Sequence, residues 1–146
     1  MDNFYNKEYL DYKTKKNISI QETIDYFCYV KDDSLFVNYR FFKLIPNNLD
    51  LFQIYYDKLV ENIEKLLKNN TYIFIHVNIE KFSLTDFDKY SHLFTNITNL
   101  FLEKYPDILN KLYVYGSGMI FEKLIKMFSM LLTKETRKKM ILINDN

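Results

Sequence analysis

The chain has 146 residues, of which 48% are hydrophobic and 18% aromatic, enough for one domain with a substantial core. Its formal net charge of +1 gives no electrostatic reason to expect nucleic acid as a partner. The single cysteine excludes a disulfide within the chain. Neither a signal peptide nor an apolar run of about 20 residues is present. We therefore expect a cytoplasmic protein, with peripheral membrane contact left open.

The first elements follow from helix caps and turn signals. Residues 1–17 are polar and are expected to be loosely held. A capping box formed by Ser19 and Glu22 predicts a helix through "SIQETIDYFCYV", and "DDS" predicts a turn after it. The run "LFVNYRFFKLI" is rich in β-branched and aromatic residues, which predicts a strand that ends before Pro46.

The rest of the chain alternates between helices and strands. Asn48 is expected to cap a helix over about 49–68. "YIFIHVNI" is almost continuously apolar, which suits a strand buried on both faces. Ser83 or Thr85 is expected to begin the next helix. The strand "KLYVYG", an apolar helix over about 119–132, the basic turn "TKETRKK" and the strand "MILIN" complete the chain.

This alternation predicts the fold class. Strands that alternate with crossover helices indicate an α/β fold with a mostly parallel central sheet. No linker or repeat divides the chain, so residues 1–146 are expected to form a single domain. The strands that should share one sheet are predicted at about 35–44, 72–79, 112–116 and 140–144.

Both glycines of the chain lie in Gly116-Ser117-Gly118, between a predicted strand and a predicted helix. A nucleophile elbow has glycines two residues before and after its serine, whereas these glycines are adjacent to Ser117. A dinucleotide-binding fingerprint requires a third glycine. We interpret the stretch as a turn in which Ser117 or Gly118 caps the helix, with weak anion binding left open and no catalytic residue predicted.

His76 lies in the middle of a predicted strand, and Asn78 and Glu80 occupy alternate positions on the same face. At the carboxyl end of a parallel strand such groups can face a crevice. Metal sites usually need three or four clustered ligands, and neither His92 nor Cys28 has a useful spacing. A buried, hydrogen-bonded His76 is therefore favoured over a ligand, and no metal site is predicted.

The helix predicted over about 119–132 is apolar on nearly all sides. One side can pack on the sheet, and the other would face a partner, a membrane surface or a lipid, with an ordinary core helix as the alternative. The basic turn that follows is either a solvated loop or a contact to anionic lipid headgroups. The residues assigned to that contact are Lys134, Arg137, Lys138 and Lys139.

Three stretches of the chain resemble a known family. "LYVYGSGMIFEKLIKMFSMLLTKETRKKMILIN" looks like the C-terminal half of a CRAL-TRIO domain, with a strand, a turn, an aromatic-rich helix and a last strand. "YIFIHVNIEKFSLTDFDKYSHLFTNITNLFLEKYPDILNKLYVY" resembles the part that precedes it. "VKDDSLFVNYRFFKLIP" is similar to the opening of the short, divergent BCH-type branch found in some Rho GTPase-activating proteins. The resemblance covers about residues 28–144 and implies a domain truncated at both ends.

The resemblance implies that the chain binds, and in one version transfers, a lipid or other apolar small molecule between the sheet and a gate-like helix. It implies no catalytic position and no cofactor other than a bound lipid. The alternative is a BCH-type interaction module that binds a small GTPase or a second copy of itself without lipid. The residues assigned to the ligand are Phe121, Leu124, Ile125, Phe128, Leu131, Leu132, His76 and Ser117.

Overall fold

The computed structural model describes residues 19–39, 50–80, 83–127 and 133–143. Five strands of these residues form one sheet in the order β1-β2-β3-β4-β5, with β1 antiparallel to β2 and the other pairs parallel. The predicted α/β fold with a mostly parallel sheet is confirmed. Helices α1–α5 span Ile20–Phe27, Leu51–Leu67, Leu84–Lys104, Gly118–Met127 and Lys134–Lys138, and strands β1–β5 span Cys28–Lys31, Ser34–Asn38, Ile73–Asn78, Leu109–Tyr115 and Met140–Ile143.

The two faces of the sheet differ because strands β2 to β5 are neighbours in the same order as in the chain. Right-handed crossovers between such strands bring each connecting helix back to the same face. We call this the helix face and the other the aromatic face. Alternate strand residues on the helix face include Leu35, Val37, Ile75, Val77, Leu112, Val114 and Met140, whereas those on the aromatic face include Phe36, His76, Tyr113 and Tyr115.

The first helix is shorter than predicted, and a strand follows it that the sequence analysis missed. Helix α1 begins at the predicted capping box of Ser19 and Glu22 but ends at Phe27. Cys28–Lys31 then forms β1, which pairs with β2 across the turn Asp32-Asp33. Asp32 adopts a positive φ of 57°, a conformation that aspartate tolerates better than most residues. Pairing with β2 therefore overrides the helical pattern after Phe27.

The other corrections concern the ends of elements. Helix α2 begins at Leu51 because Asp50 caps it, its side chain accepting a hydrogen bond from Gln53 N at 3.2 Å. The predicted cap Asn48 lies outside the described residues, as do 40–44 of the predicted first strand and 128–132 of the apolar helix. The predicted basic turn is instead the short helix α5. Thr133 caps α5 by accepting a hydrogen bond from Thr136 N at 3.1 Å.

The core lies between the helix face and the helices. The rings of Phe27 and Tyr55, both fully buried, pack at a centroid distance of 4.5 Å. Asn62 of α2 is also buried, and its Nδ2 donates hydrogen bonds to Cys28 O at 3.0 Å and to Cys28 Sγ at 3.2 Å. A buried amide needs such partners, so this contact fixes α2 against the first strand.

Gly116, between β4 and α4, is where the backbone needs a glycine. Its φ is 156°, and a Cβ added there would lie 2.7 Å from Ile79 Cγ1. Ile79 is itself buried, directly after β3. At Gly118, by contrast, the nearest atom to an added Cβ is Leu142 Cδ2 at 3.9 Å, an ordinary contact. The predicted strand-to-helix turn is therefore held by the close approach of Gly116 to the end of β3.

We predict that Gly116→Ala destabilises the protein by about 1–3 kcal/mol, because the new methyl group overpacks against Ile79 and the backbone is strained. Gly118→Ala is the matched control, since it adds the same methyl group where space exists, and it should be neutral or slightly stabilising. Urea unfolding curves of the two variants measure the difference. Equal midpoints would contradict the assigned role of Gly116.

Candidate functional site

An apolar cavity of about 170 Å³ lies between the helix face of the sheet and the helices. No charged side chain is among the described residues that line it. Its floor consists of Leu109 and seven helix-face strand residues, and Tyr39 lines one part; the seven are Leu35, Val37, Ile75, Val77, Leu112, Val114 and Met140. The helices contribute Leu59 of α2, Ile97, Thr98, Phe101 and Leu102 of α3, Leu124 of α4 and Thr136 of α5.

The sequence produces this lining through two periodicities. Along each strand every second side chain points to the helix face, and in β2 to β4 these positions are valine, leucine or isoleucine. On α3, Ile97 and Phe101 are separated by one helical turn, so both face the sheet. Lining residues of both kinds were missed as site residues, because the amphipathic pattern marks core positions without showing where the packing leaves a space.

The structure brings only some of the predicted ligand residues to the cavity. Leu124 lines it and is buried, whereas Phe121 is half-buried against the core and is not among the lining residues. Ile125 is half-buried and also outside the lining. The remaining predicted residues of this helix, Phe128, Leu131 and Leu132, lie outside the described residues, so their role stays a prediction.

His76 lies on the aromatic face, on the other side of the sheet from the cavity. Its ring stacks between Phe36 and Tyr113, at centroid distances of 4.6 and 4.9 Å, and Tyr29 extends the stack beyond Phe36 at 5.2 Å. His76 Nδ1 and the Tyr115 hydroxyl are 2.7 Å apart and share a hydrogen bond. Burial lowers the pKa of His76 to about 4 and raises that of Tyr115 to about 12. The pair is therefore neutral at pH 7 and has a packing role.

Asn78 and Glu80, the other polar residues predicted on the same face as His76, contact each other at the end of β3. Asn78 Oδ1 accepts a hydrogen bond from Glu80 N at 2.8 Å, which turns the chain at the end of β3. Glu80 Oε2 is buried and has no hydrogen-bond partner. Among the described residues, no group of three or more His, Cys, Asp or Glu side chains is arranged to hold a metal ion.

Ser117 has a capping geometry at the start of α4. Its Oγ is 3.3 Å from Ile120 N, which donates a hydrogen bond to it, and its side chain is exposed. Neither histidine contacts it in any described hydrogen bond, and Ser117 does not line the cavity. Its position thus matches the helix cap that the sequence analysis favoured.

The basic residues assigned to a headgroup contact lie on or directly after α5, beside the cavity. Thr136 of this helix lines the cavity, whereas Lys134, Arg137 and Lys138 are exposed and Lys139 is half-buried. The α5 helix therefore presents an uncharged side chain to the cavity and positive charge to its surroundings. In the described part of the chain no helix is both long and apolar enough to cross a bilayer.

The fold and the site together define an α/β domain with an apolar cavity under its helices. The chain belongs to the CRAL/TRIO domain family, which matches residues 14–146. Its fold is similar to the crystal structure of Sfh5, with 15% sequence identity and a TM-score of 0.66 over 94% of this chain and 56% of that one. The chain thus spans little more than half the length of Sfh5. No curated protein matches it.

Membership of this family indicates a general class of ligand. CRAL/TRIO proteins bind lipids or other small hydrophobic ligands and are generally carriers of such molecules rather than enzymes. The apolar cavity is consistent with that class of function.

We predict that folding stability falls as the pH falls from 7 to 5, by about 2 kcal/mol from His76 alone. The unfolded chain takes up a proton near the ordinary pKa of 6.5, whereas folded His76 does so only near 4, so protons favour unfolding between these values. His76→Gln keeps a hydrogen-bonding side chain and should flatten this dependence in urea unfolding at pH 7, 6 and 5.

His92→Gln is the matched control for this experiment, because His92 is the other histidine and is exposed on α3. It should leave the pH dependence of wild type unchanged. A pH dependence in His76→Gln as steep as that of wild type would show that His76 is not held neutral by burial.

We also predict that Ser117→Ala lowers stability by at most about 1 kcal/mol, the usual effect of losing a helix cap. An acyl-serine probe should not label the wild-type protein. Labelling at Ser117, located by mass spectrometry of peptides, would mean that the residue is a nucleophile and that the capping interpretation is incomplete.

Proposed function

We propose that the chain binds, and transfers between membranes, a lipid or other apolar ligand in the cavity between the sheet and α4. The observation that carries this proposal is the cavity itself, which has a volume of about 170 Å³ and whose described lining residues are uncharged and largely aliphatic. An apolar space of this kind leaves the side chains that line it without packing partners unless something fills it.

Helix α4 is the element best suited to act as a gate. Its buried side chains Ile120 and Leu124 hold it to the core, and Leu124 is also part of the cavity wall. An ion pair to α3 joins Lys123 Nζ and Asp88 Oδ1 at 3.6 Å between exposed side chains, a contact worth little in water. Moving α4 would withdraw Leu124 from the cavity wall and so open the cavity.

The charge on α5 supports a role for this helix in membrane contact. Arginine offers paired hydrogen bonds to phosphate, and each basic residue near an anionic membrane adds about 1 kcal/mol of attraction. Because Thr136 lies at the cavity, a headgroup bound by α5 is next to the space that receives the apolar part of a lipid.

The second candidate is an interaction module of BCH type that binds a small GTPase or another copy of this chain. Two exposed apolar side chains favour it, Met119 at 64% exposure and Leu84 at 38%, each in the first turn of its helix. The two helices lie side by side, since Lys123 Nζ of α4 is 3.6 Å from Asp88 Oδ1 of α3. Native mass spectrometry distinguishes the candidates, since a ligand-free dimer supports this one and a monomer with bound lipid the first.

We predict that Leu102→Trp reduces the amount of lipid that co-purifies with the protein, because the larger ring fills the cavity that Leu102 lines. Leu93→Trp is the matched control, since Leu93 lies on the same helix, is also half-buried and does not line the cavity. Organic extraction followed by lipid mass spectrometry measures the bound lipid. The chain has no tryptophan of its own, so each variant also carries a single fluorescent reporter of its folding.

Lipid retained equally by both folded variants would place the ligand elsewhere, and no lipid in the wild-type protein would contradict the proposed function.

We further predict that replacing Arg137, Lys138 and Lys139 with Gln weakens binding to anionic vesicles, and that added salt does the same to wild type. Co-sedimentation with vesicles of phosphatidylserine and phosphatidylcholine measures the effect.

The matched control removes the same charge from three exposed positions on α2, α3 and α4, namely Lys65, Lys89 and Lys123. It should lower vesicle binding less than the α5 variant does. If both variants lose vesicle binding equally, the effect comes from the net charge of the protein and not from α5. If wild type does not bind anionic vesicles, membrane docking is excluded.

A further inference from the structure

The size of the cavity limits what it can enclose. An engineered protein cavity of about 150 Å³ lined by aliphatic and aromatic side chains binds benzene or xenon. The cavity here, at about 170 Å³, has room for an apolar group of similar size, one six-membered ring or a short stretch of one chain. It does not have room for two acyl chains side by side.

The lining also limits the charge of the enclosed group. Every described lining residue is uncharged, so a carboxylate or phosphate inside would be buried without an ionic partner. Burying a charge in this way is far more costly than burying a neutral polar group. Charged parts of a ligand must therefore stay outside.

Thr98 supplies a hydrogen-bonding group that is still available within this lining. Three lining residues carry hydroxyls, namely Tyr39, Thr98 and Thr136. The Thr136 hydroxyl lies 3.1 Å from the Thr133 hydroxyl, within hydrogen-bond distance. The Tyr39 ring packs against the ring of Phe94 at a centroid distance of 4.8 Å. Among the described contacts none joins the Thr98 hydroxyl to another group. One turn earlier, Thr95 Oγ1 donates to Ser91 O at 2.9 Å, the usual arrangement for a threonine inside a helix.

We infer that the cavity selects a compact, uncharged apolar group with one hydroxyl or carbonyl, which forms a hydrogen bond with Thr98. This inference rests on the proposed function and adds the chemical class of the enclosed group and the residue that recognises it. A neutral ring or a single short chain satisfies the volume, the lack of charge and the free hydroxyl together.

Three small probes that each carry one benzene ring test the inference on the full chain: toluene, benzyl alcohol and benzoate, with affinities measured by ligand-observed NMR at pH 7. Toluene and benzyl alcohol should bind, and benzoate should bind at least about tenfold more weakly because its charge cannot be paired. The three-ring alcohol 9-anthracenemethanol should also bind more weakly than benzyl alcohol, since it exceeds the cavity.

Variants of the helix α3 threonines identify the recognising group. Thr98→Val has nearly the same shape without the hydroxyl, and it should weaken benzyl alcohol binding about 3- to 10-fold while toluene binding is kept. Thr98→Ser should restore benzyl alcohol binding. Thr95→Val is the matched control and should leave all three affinities unchanged, because the Thr95 hydroxyl bonds to its own helix.

Each other outcome has a definite meaning. Benzoate binding as tightly as benzyl alcohol, or Thr98→Val changing toluene and benzyl alcohol equally, would overturn the inference and leave the proposed function standing. A two-chain lipid extracted from the purified protein, and lost in Leu102→Trp, would do the same. If no probe binds and no lipid is extracted, the inference and the proposed function both fail.

Discussion

The order of the strands is the constraint on which the rest of this structure depends. Because β2 to β5 are neighbours in both chain and sheet, their crossover helices gather on one face, and the two faces acquire different chemistry. The helix face is aliphatic and borders the cavity, whereas the aromatic face carries the stack around His76. Strand β3 thus supplies part of the cavity wall on one side and, on the other, His76, which shares a hydrogen bond with Tyr115.

The attachment of α4 follows from the same geometry. Gly116 lets the chain pass so close to Ile79 that β4 and the end of β3 are fixed to each other just before the helix begins. The start of α4 is therefore rigid, while its outer side has the weak ion pair between Lys123 and Asp88. The gate proposed for α4 would therefore turn about the fixed residue pair before it, Gly116 and Ser117.

Local signals in the sequence were sufficient for much of the fold. Ser19 caps α1 as predicted, and Ser83, one of the two caps predicted for α3, begins that helix, because capping depends on residues only three positions apart. Strand β1 was missed because its stability comes from pairing with β2, which a helical pattern within the segment does not reveal. The wrong assignment of the basic turn has a similar cause, since Thr133 caps too short a helix to show a period.

The site was harder to predict than the fold. The apolar character of α4 pointed to the correct region, and Leu124 does line the cavity. Strand alternation placed His76, Asn78 and Glu80 on one face, but with apolar residues on both sides of β3 it could not show which face borders the helices. Thr98 carried no signal at all, because an unpaired hydroxyl is recognised only once its neighbours are known.

The buried contact between Asn62 and Cys28 has a consequence for watching this molecule move. Burial raises the pKa of the Cys28 thiol to about 12, so the side chain reacts with a thiol reagent only when α2 separates from the first strand. Because Cys28 is the chain's single cysteine, the rate of its chemical modification is a direct measure of how often that edge of the domain opens. If a bound apolar molecule lowers this rate, filling the cavity stabilises the domain as far as the edge formed by α2 and the first strand. If the rate is unchanged, the stabilisation is confined to the elements beside the cavity.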